Sequence, residues 1–188
     1  MKDISAREVA PEEGAQRGPR SGSAGLEAAP IPLRAESGAH PMAEGSQGVV
    51  PMLAYEDGPA AMEWLVRVFG FRERARMLDQ SGRLAHGELE TGGGLVMLAT
   101  PSPAYEGPRR HRGPCERARQ WSQVPWVIDG VLVLVEDIEA HFARTRREGA
   151  EILSELEAGP PARRYRAEDL EGHRWMFMAK PSPHVDAP

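Results

Sequence analysis

The chain has 188 residues, with 23 Lys and Arg against 28 Asp and Glu and a formal net charge of −5. That length allows one domain with a sizeable core, or two small ones, and the acidic balance argues against a nucleic-acid binder, which needs a basic face for phosphates. A single cysteine, Cys115, excludes an internal disulfide, and the lack of any apolar run of about 18 residues excludes a membrane-spanning helix.

The Met1-Lys2-Asp3 start carries no apolar signal stretch, so a protein of the reducing cytoplasm is expected. Residues 1–46 are rich in Gly, Pro, Ala, Ser and Glu, hold no aromatic residue and show no apolar periodicity. Such a segment buries too little surface to offset the entropy of ordering it, which predicts a disordered tail, with Met42 as an alternative start. Val50 to Tyr55 is then a short apolar run of strand type, closed by Glu56-Asp57. A helix follows. Pro59 suits its first turn, Asp57 can accept its free N–H groups, Met62, Leu65, Val66 and Phe69 fall at helical spacing, and Gly70 stops it. Three strand segments come next, Phe71 to Leu78, Arg83 to Glu90 and Leu95 to Ala99, parted by turns at Gln80-Ser81-Gly82 and Gly92-Gly93-Gly94. The triple-glycine turn enters a strand rather than a helix, so it is a hairpin and not a phosphate loop.

Pro101 to Ile128 is a connection longer than most, after which the series repeats. Val131 to Val135 is a strand ending in Glu136-Asp137. Asp137 is placed to cap a helix in which Ile138 and Phe142 lie four apart, and Gly149 follows Arg146 and Arg147 at its end. Strand segments Glu151 to Leu156, Arg163 to Ala167 and Arg174 to Ala179 follow, with a Gly159-Pro160-Pro161 break and a turn through Gly172. Asp57 and Asp137 are 80 positions apart, Met97 and Met176 are 79 apart. Two tandem β-α-β-β-β modules, 49–100 and 129–179, are therefore expected within an α+β domain at 47–180, with a short second tail over 181–188.

Three stretches carry a further likeness: Phe69-Gly70-Phe71, Ala85-His86-Gly87-Glu88-Leu89, and Tyr165 through Trp175, which reads Tyr-Arg-Ala-Glu-Asp-Leu-Glu-Gly-His-Arg-Trp. Over roughly residues 48–179 the chain resembles the vicinal oxygen chelate superfamily of glyoxalase I, extradiol dioxygenases, fosfomycin-resistance enzymes and bleomycin-binding proteins. The last stretch is similar to the D-P-x-G-H-x-W turn of the glyoxalase-like branch, with Leu170 in the Pro position. The resemblance implies a curled mixed sheet around a cleft, often completed by a second subunit, and hence a homodimer. Metal-using members carry ligands at the positions that are Val50, Met97, Gly130 and Met176 here. Hard divalent cations take carboxylate, imidazole or water, so none of these four fits, and no metal or other cofactor is expected.

His86 and Glu88 lie two apart and share one strand face, so they make the alternative acid–base pair, and with His173 the candidate ligands of an improvised metal site. A solvated His–Glu pair and a turn histidine bonded to nearby backbone are the plainer readings. In the connection, Arg109-Arg110-His111-Arg112 reads as a solvated run or an anion-gripping lid, and Cys115 beside Arg117 as a thiol without an identifiable catalytic partner. Large aromatics most often fill cores, yet Trp126, Tyr165 and Trp175 fall in segments that would border a cleft. With Met97 and Met176 they form the expected ligand-binding wall, suited to a hydrophobic or aromatic small molecule. A metal-free binding protein is thus the first functional expectation, and a glyoxalase-type lyase or isomerase using His86 and Glu88 the second.

Overall fold

The computed structural model describes residues 49–124, 130–158 and 162–181. The tail expected over 1–46, Trp126, the Gly159-Pro160-Pro161 break and residues 182–188 lie outside them. In chain order the elements are β1 (Met52–Ala54), α1 (Gly58–Phe69), β2 (Arg72–Leu78), β3 (Leu84–Glu90), β4 (Leu95–Ala99), α2 (Pro108–Arg112), α3 (Glu116–Ser122), β5 (Gly130–Val135), α4 (Ile138–Arg147), β6 (Glu151–Glu157), β7 (Arg164–Glu168) and β8 (Arg174–Ala179). They form two four-stranded mixed sheets, ordered β1-β4-β3-β2 and β5-β8-β7-β6. The modules repeat in register as well as in order: β1 runs parallel to β4 with Met52 opposite Met97, and β5 runs parallel to β8 with Leu132 opposite Met176.

Both principal helices begin as their sequences require. The Asp57 carboxylate accepts the Ala60 N–H at 3.1 Å and the Asp137 carboxylate accepts the Ala140 N–H at 2.9 Å, each satisfying an orphan donor of a first turn. Gly70 ends α1 in the left-handed region, at φ 74°. Gly87 has a different task. A Cβ there would lie 2.6 Å from Met62 Sδ, so a bare backbone lets α1 settle onto β3.

One face of each sheet packs on its own helix, and the helices pack on each other. The Arg144 guanidinium of α4 donates to the Val66 and Arg67 carbonyls at 3.1 and 2.8 Å, covering the open C-terminal end of α1. Phe69 joins the two cores, with its ring 5.6 Å from Trp175 and 4.8 Å from Phe177. Met62, Leu65, Val68 and Phe69 of the first module thus share one buried cluster with Val133, Tyr165, Trp175 and Phe177 of the second. The opposite face of each sheet is free of both helices. Among the described residues no helix is long and apolar enough to cross a membrane.

His141 of α4 sits at this junction. Its Nε2 meets the Phe69 carbonyl at 2.9 Å and its Nδ1 the Tyr165 hydroxyl at 2.7 Å, so the neutral ring donates at one nitrogen and accepts at the other. Burial, helped by the Arg144 charge and opposed by the Phe69 carbonyl, holds its pKa below the ordinary 6.5. The folded state then binds fewer protons than the unfolded one. Its contribution is complete above pH 6.5 and is lost as the pH falls from there toward the depressed folded value. Urea unfolding at pH 7.5 and 5.5 should show this loss in the native protein and a smaller one in His141→Gln. Equal losses in the two proteins would contradict it.

Candidate functional site

The Asp169–Trp175 turn, the most specific stretch of the sequence, is a joint between the modules. The Asp169 carboxylate is buried and accepts four hydrogen bonds: Oδ2 takes the Tyr55 hydroxyl (2.6 Å) and the Trp175 indole N–H (3.0 Å), Oδ1 the backbone N–H groups of Glu171 (3.1 Å) and His173 (3.0 Å). Burial, with the Asp169 charge beside it, pushes the Tyr55 hydroxyl well above its ordinary pKa, so it remains a donor. His173 Nε2 lies 2.9 Å from the Ala54 carbonyl of β1. A carbonyl can only accept, so that nitrogen carries the proton and is not a free metal ligand. Glu171 accepts the Glu56 and Asp57 N–H groups at 2.7 and 3.0 Å, and burial raises its pKa despite those bonds. Tyr55, Asp169, Glu171 and His173 therefore hold the modules together.

The connection between the modules is not a simple solvated loop. It holds α2, begun by Pro108 after Gly107, and α3. Its basic run grips the protein's own carboxylates rather than waiting for an anion: Arg110 pairs with Glu56 at 3.1 Å, and Arg109 reaches Glu151 at 3.1 Å and the Asp169 carbonyl at 3.0 Å. Arg112 forms a two-pronged contact with Glu168, at 2.9 and 2.7 Å. Glu168 is 2% exposed and also accepts Arg174 Nε at 3.1 Å. Arg174 directs its other N–H groups to the carbonyls of Ser122, the last residue of α3, and Val124 just past it. One buried carboxylate between two guanidiniums thus pins α2 and α3 over one end of the C-terminal sheet. Cys115 is a part-exposed free thiol that begins α3.

The sheet faces turned away from α1 and α4 are what remains for a ligand, with α2 and α3 covering one end of the C-terminal one. On the C-terminal sheet strict alternation sends Tyr165, Ala167, Trp175 and Phe177 toward α4, and Arg164, Arg166, Met176 and Met178 to the open side. Cross-strand register then builds two rows: Leu134, Met178, Arg164 and Glu157, and beside it Leu132, Met176, Arg166 and Ser154. Leu132 and Leu134 are 49% and 40% exposed. A groove of about 620 Å³ adjoins them, running between the β5 edge and the Gly92-Gly93-Gly94 turn and reaching Pro51, Leu95 and Lys180.

The expected wall is therefore corrected in part. Tyr165 and Trp175 are wholly buried, because their strand positions face the helix; neither reaches an open face. Met97 and Met176 stand part-exposed on the open faces of the two sheets, and Trp126 lies outside the described residues. Arg164, Arg166, Leu132 and Leu134 were not among the expected site residues, although the alternation in Arg164-Tyr165-Arg166-Ala167-Glu168 carries the signal. On the N-terminal sheet, His86 Nε2 lies 3.0 Å from Glu88 Oε1, and Arg74 Nε lies 3.5 Å from Glu88 Oε2. That is an open-face acid–base pair with its carboxylate engaged on both oxygens.

The positions that hold metal ligands in the vicinal oxygen chelate superfamily carry no such ligands here. Met97 and Met176 present thioethers, Gly130 presents no side chain, and Val50 is aliphatic, a donor set unsuited to a hard divalent cation. Among the described residues no three of His, Cys, Asp and Glu come together as a metal-holding group.

Comparison with known proteins agrees with the fold. TioX from Micromonospora sp. ML1 is 35% identical, and its structure matches over 71% of this chain and 98% of TioX with a TM-score of 0.53. TnmS3, an antibiotic binding protein from Streptomyces sp. CB03234, shares the fold at 18% identity, over 73% of this chain and 97% of TnmS3, with a TM-score of 0.50. An uncharacterised protein of Mycobacterium bovis is 28% identical over 138 residues, 71% of this chain and 76% of that protein. The family model described as Glyoxalase/Bleomycin resistance protein/Dioxygenase superfamily matches residues 49–177, and the chain belongs to that superfamily.

Proposed function

We propose that the chain is a metal-free binding protein for a small hydrophobic or aromatic molecule, acting in the cytoplasm as a homodimer. The observation that carries this reading is the open face of the C-terminal sheet, where Leu132, Leu134, Met176 and Met178 present a contiguous apolar patch beside a groove of about 620 Å³. Thioethers and leucines form an adaptable lining that favours apolar ligands of varied shape. A partner subunit would complete each open face, and the twofold dimer is the commonest closed assembly. The fold shared with an antibiotic binding protein supports the same class of activity. The test uses Nile red, a neutral apolar dye. The native protein should raise and blue-shift its fluorescence, and Leu134→Glu should weaken binding at least about tenfold, because a charge is costly to desolvate against an apolar ligand. Leu134 is part-exposed, so that variant should fold normally. Unchanged dye affinity in Leu134→Glu would remove this face from the site.

The absence of a metal has its own expected result. Elemental analysis after dialysis should find far less than one divalent ion per subunit, and a chelator should leave the melting temperature unmoved, because an ion that binds only the folded state would raise it. One retained ion per subunit would overturn the reading.

The His86–Glu88 hydrogen bond is the single observation favouring a lyase or isomerase instead. On that reading His86→Ala with Glu88→Ala abolishes turnover of a hemithioacetal substrate; on the binding reading there is no turnover to lose.

A further inference from the structure

Charge is unevenly spread over the open face of the C-terminal sheet. At its closed end Glu151 and Glu168 are answered by three guanidiniums, those of Arg109, Arg112 and Arg174. Two rows further along, Glu157 is answered by two: Arg164 Nε stands 3.3 Å from its Oε2 and Arg166 Nη1 stands 3.6 Å from its Oε1. Among the described residues, guanidiniums on this face and its cover thus outnumber carboxylates, in a chain whose overall charge is −5. Arg164 adds a second observation. Its Nε is buried from solvent and makes no hydrogen bond, although a Glu157 oxygen lies 3.3 Å away. A buried donor left unbonded is uncommon, here on a side chain that is otherwise 31% exposed and paired with Glu157. These two arginines lie directly across from Met178 and Met176 in the sheet register, so a cationic strip runs alongside the apolar one.

We infer that the ligand is an apolar ring or chain that bears a carboxylate, with its hydrocarbon on Leu132, Leu134, Met176 and Met178 and its acid group against Arg164 and Arg166. The inference rests on the binding reading above and narrows it to a class. The guanidinium fork matches a planar carboxylate in two-pronged geometry, which a neutral or cationic ligand cannot exploit. Glu157 already occupies part of that position. It therefore competes with the ligand's acid group and sets the affinity by how readily it is displaced.

The experiment compares three probes of one shape, 1-naphthoic acid, 1-naphthalenemethanol and 1-naphthalenemethylamine, by isothermal calorimetry on the full chain. The acid should bind about tenfold or more tighter than the alcohol, and the amine weakest, with the acid's advantage shrinking as salt is raised. Arg164→Gln should weaken the acid about tenfold and leave the alcohol unchanged. Glu157→Gln should tighten the acid, an opposite sign that a folding defect cannot imitate. Should the alcohol bind as well as the acid, or Glu157→Gln leave the acid unaffected, the acid preference falls while the binding reading stands. If none of the three binds, both fall.

Discussion

Trp175→Ala should cost about 3–5 kcal/mol of fold stability, as deletion of a large buried aromatic does, seen as a large fall in the urea midpoint. The ring is wholly buried, 5.6 Å from Phe69 and 5.4 Å from Phe71, where it joins the cores of the two modules. Its indole N–H is one of two donors to Asp169 Oδ2. Truncation therefore opens a cavity and also leaves a buried carboxylate short of a partner, two costs of the same sign. Ligand affinity per folded molecule should be unchanged, since the ring faces away from the open side of β8. A stable Trp175→Ala variant that has lost dye binding would return Trp175 to the ligand wall.

Glu168→Ala should be comparably damaging for a different reason. Removing one partner of a buried ion pair leaves the other charge uncompensated, at a cost of about 3–5 kcal/mol. Arg174, 4% exposed, would keep only the Ser122 and Val124 carbonyls, and Arg112 would lose both prongs of its contact. The connection should then loosen from the sheet, and protease should cut within 107–124 faster than in the native protein. Glu168→Ala combined with Arg112→Ala should recover part of the loss, because the double change removes a stranded charge as well as the pair. A Glu168→Ala variant as stable as the native protein, with the connection protected, would contradict the pinning.

Local chemistry made the modules legible in the sequence. Asp57 and Asp137 cap helices through side-chain bonds three residues long, Gly70 ends a helix by its own backbone freedom, and strand alternation needs no distant partner. What the sequence left open was which face of each strand meets the helix. Tyr165 and Trp175 alternate correctly in any case, but only the packing of β7 and β8 against α4 turns them inward and sends Arg164, Arg166, Met176 and Met178 outward. The basic run in the connection was ambiguous for the same reason. Arg112 and Glu168 are 56 residues apart, and nothing near either one announces the other. The turn motif lay between these cases: its residues stood out in the sequence, but its role as a joint depends on Tyr55, 114 positions from Asp169.

Native mass spectrometry of the protein purified from its own cells most directly tests the central claim, that this fold serves here as a metal-free cup for a small apolar molecule. The account predicts a dimer carrying an organic adduct of a few hundred daltons that is released on activation, with no stoichiometric metal. A dimer or monomer carrying one tightly held divalent ion per subunit, and no organic adduct, would contradict it.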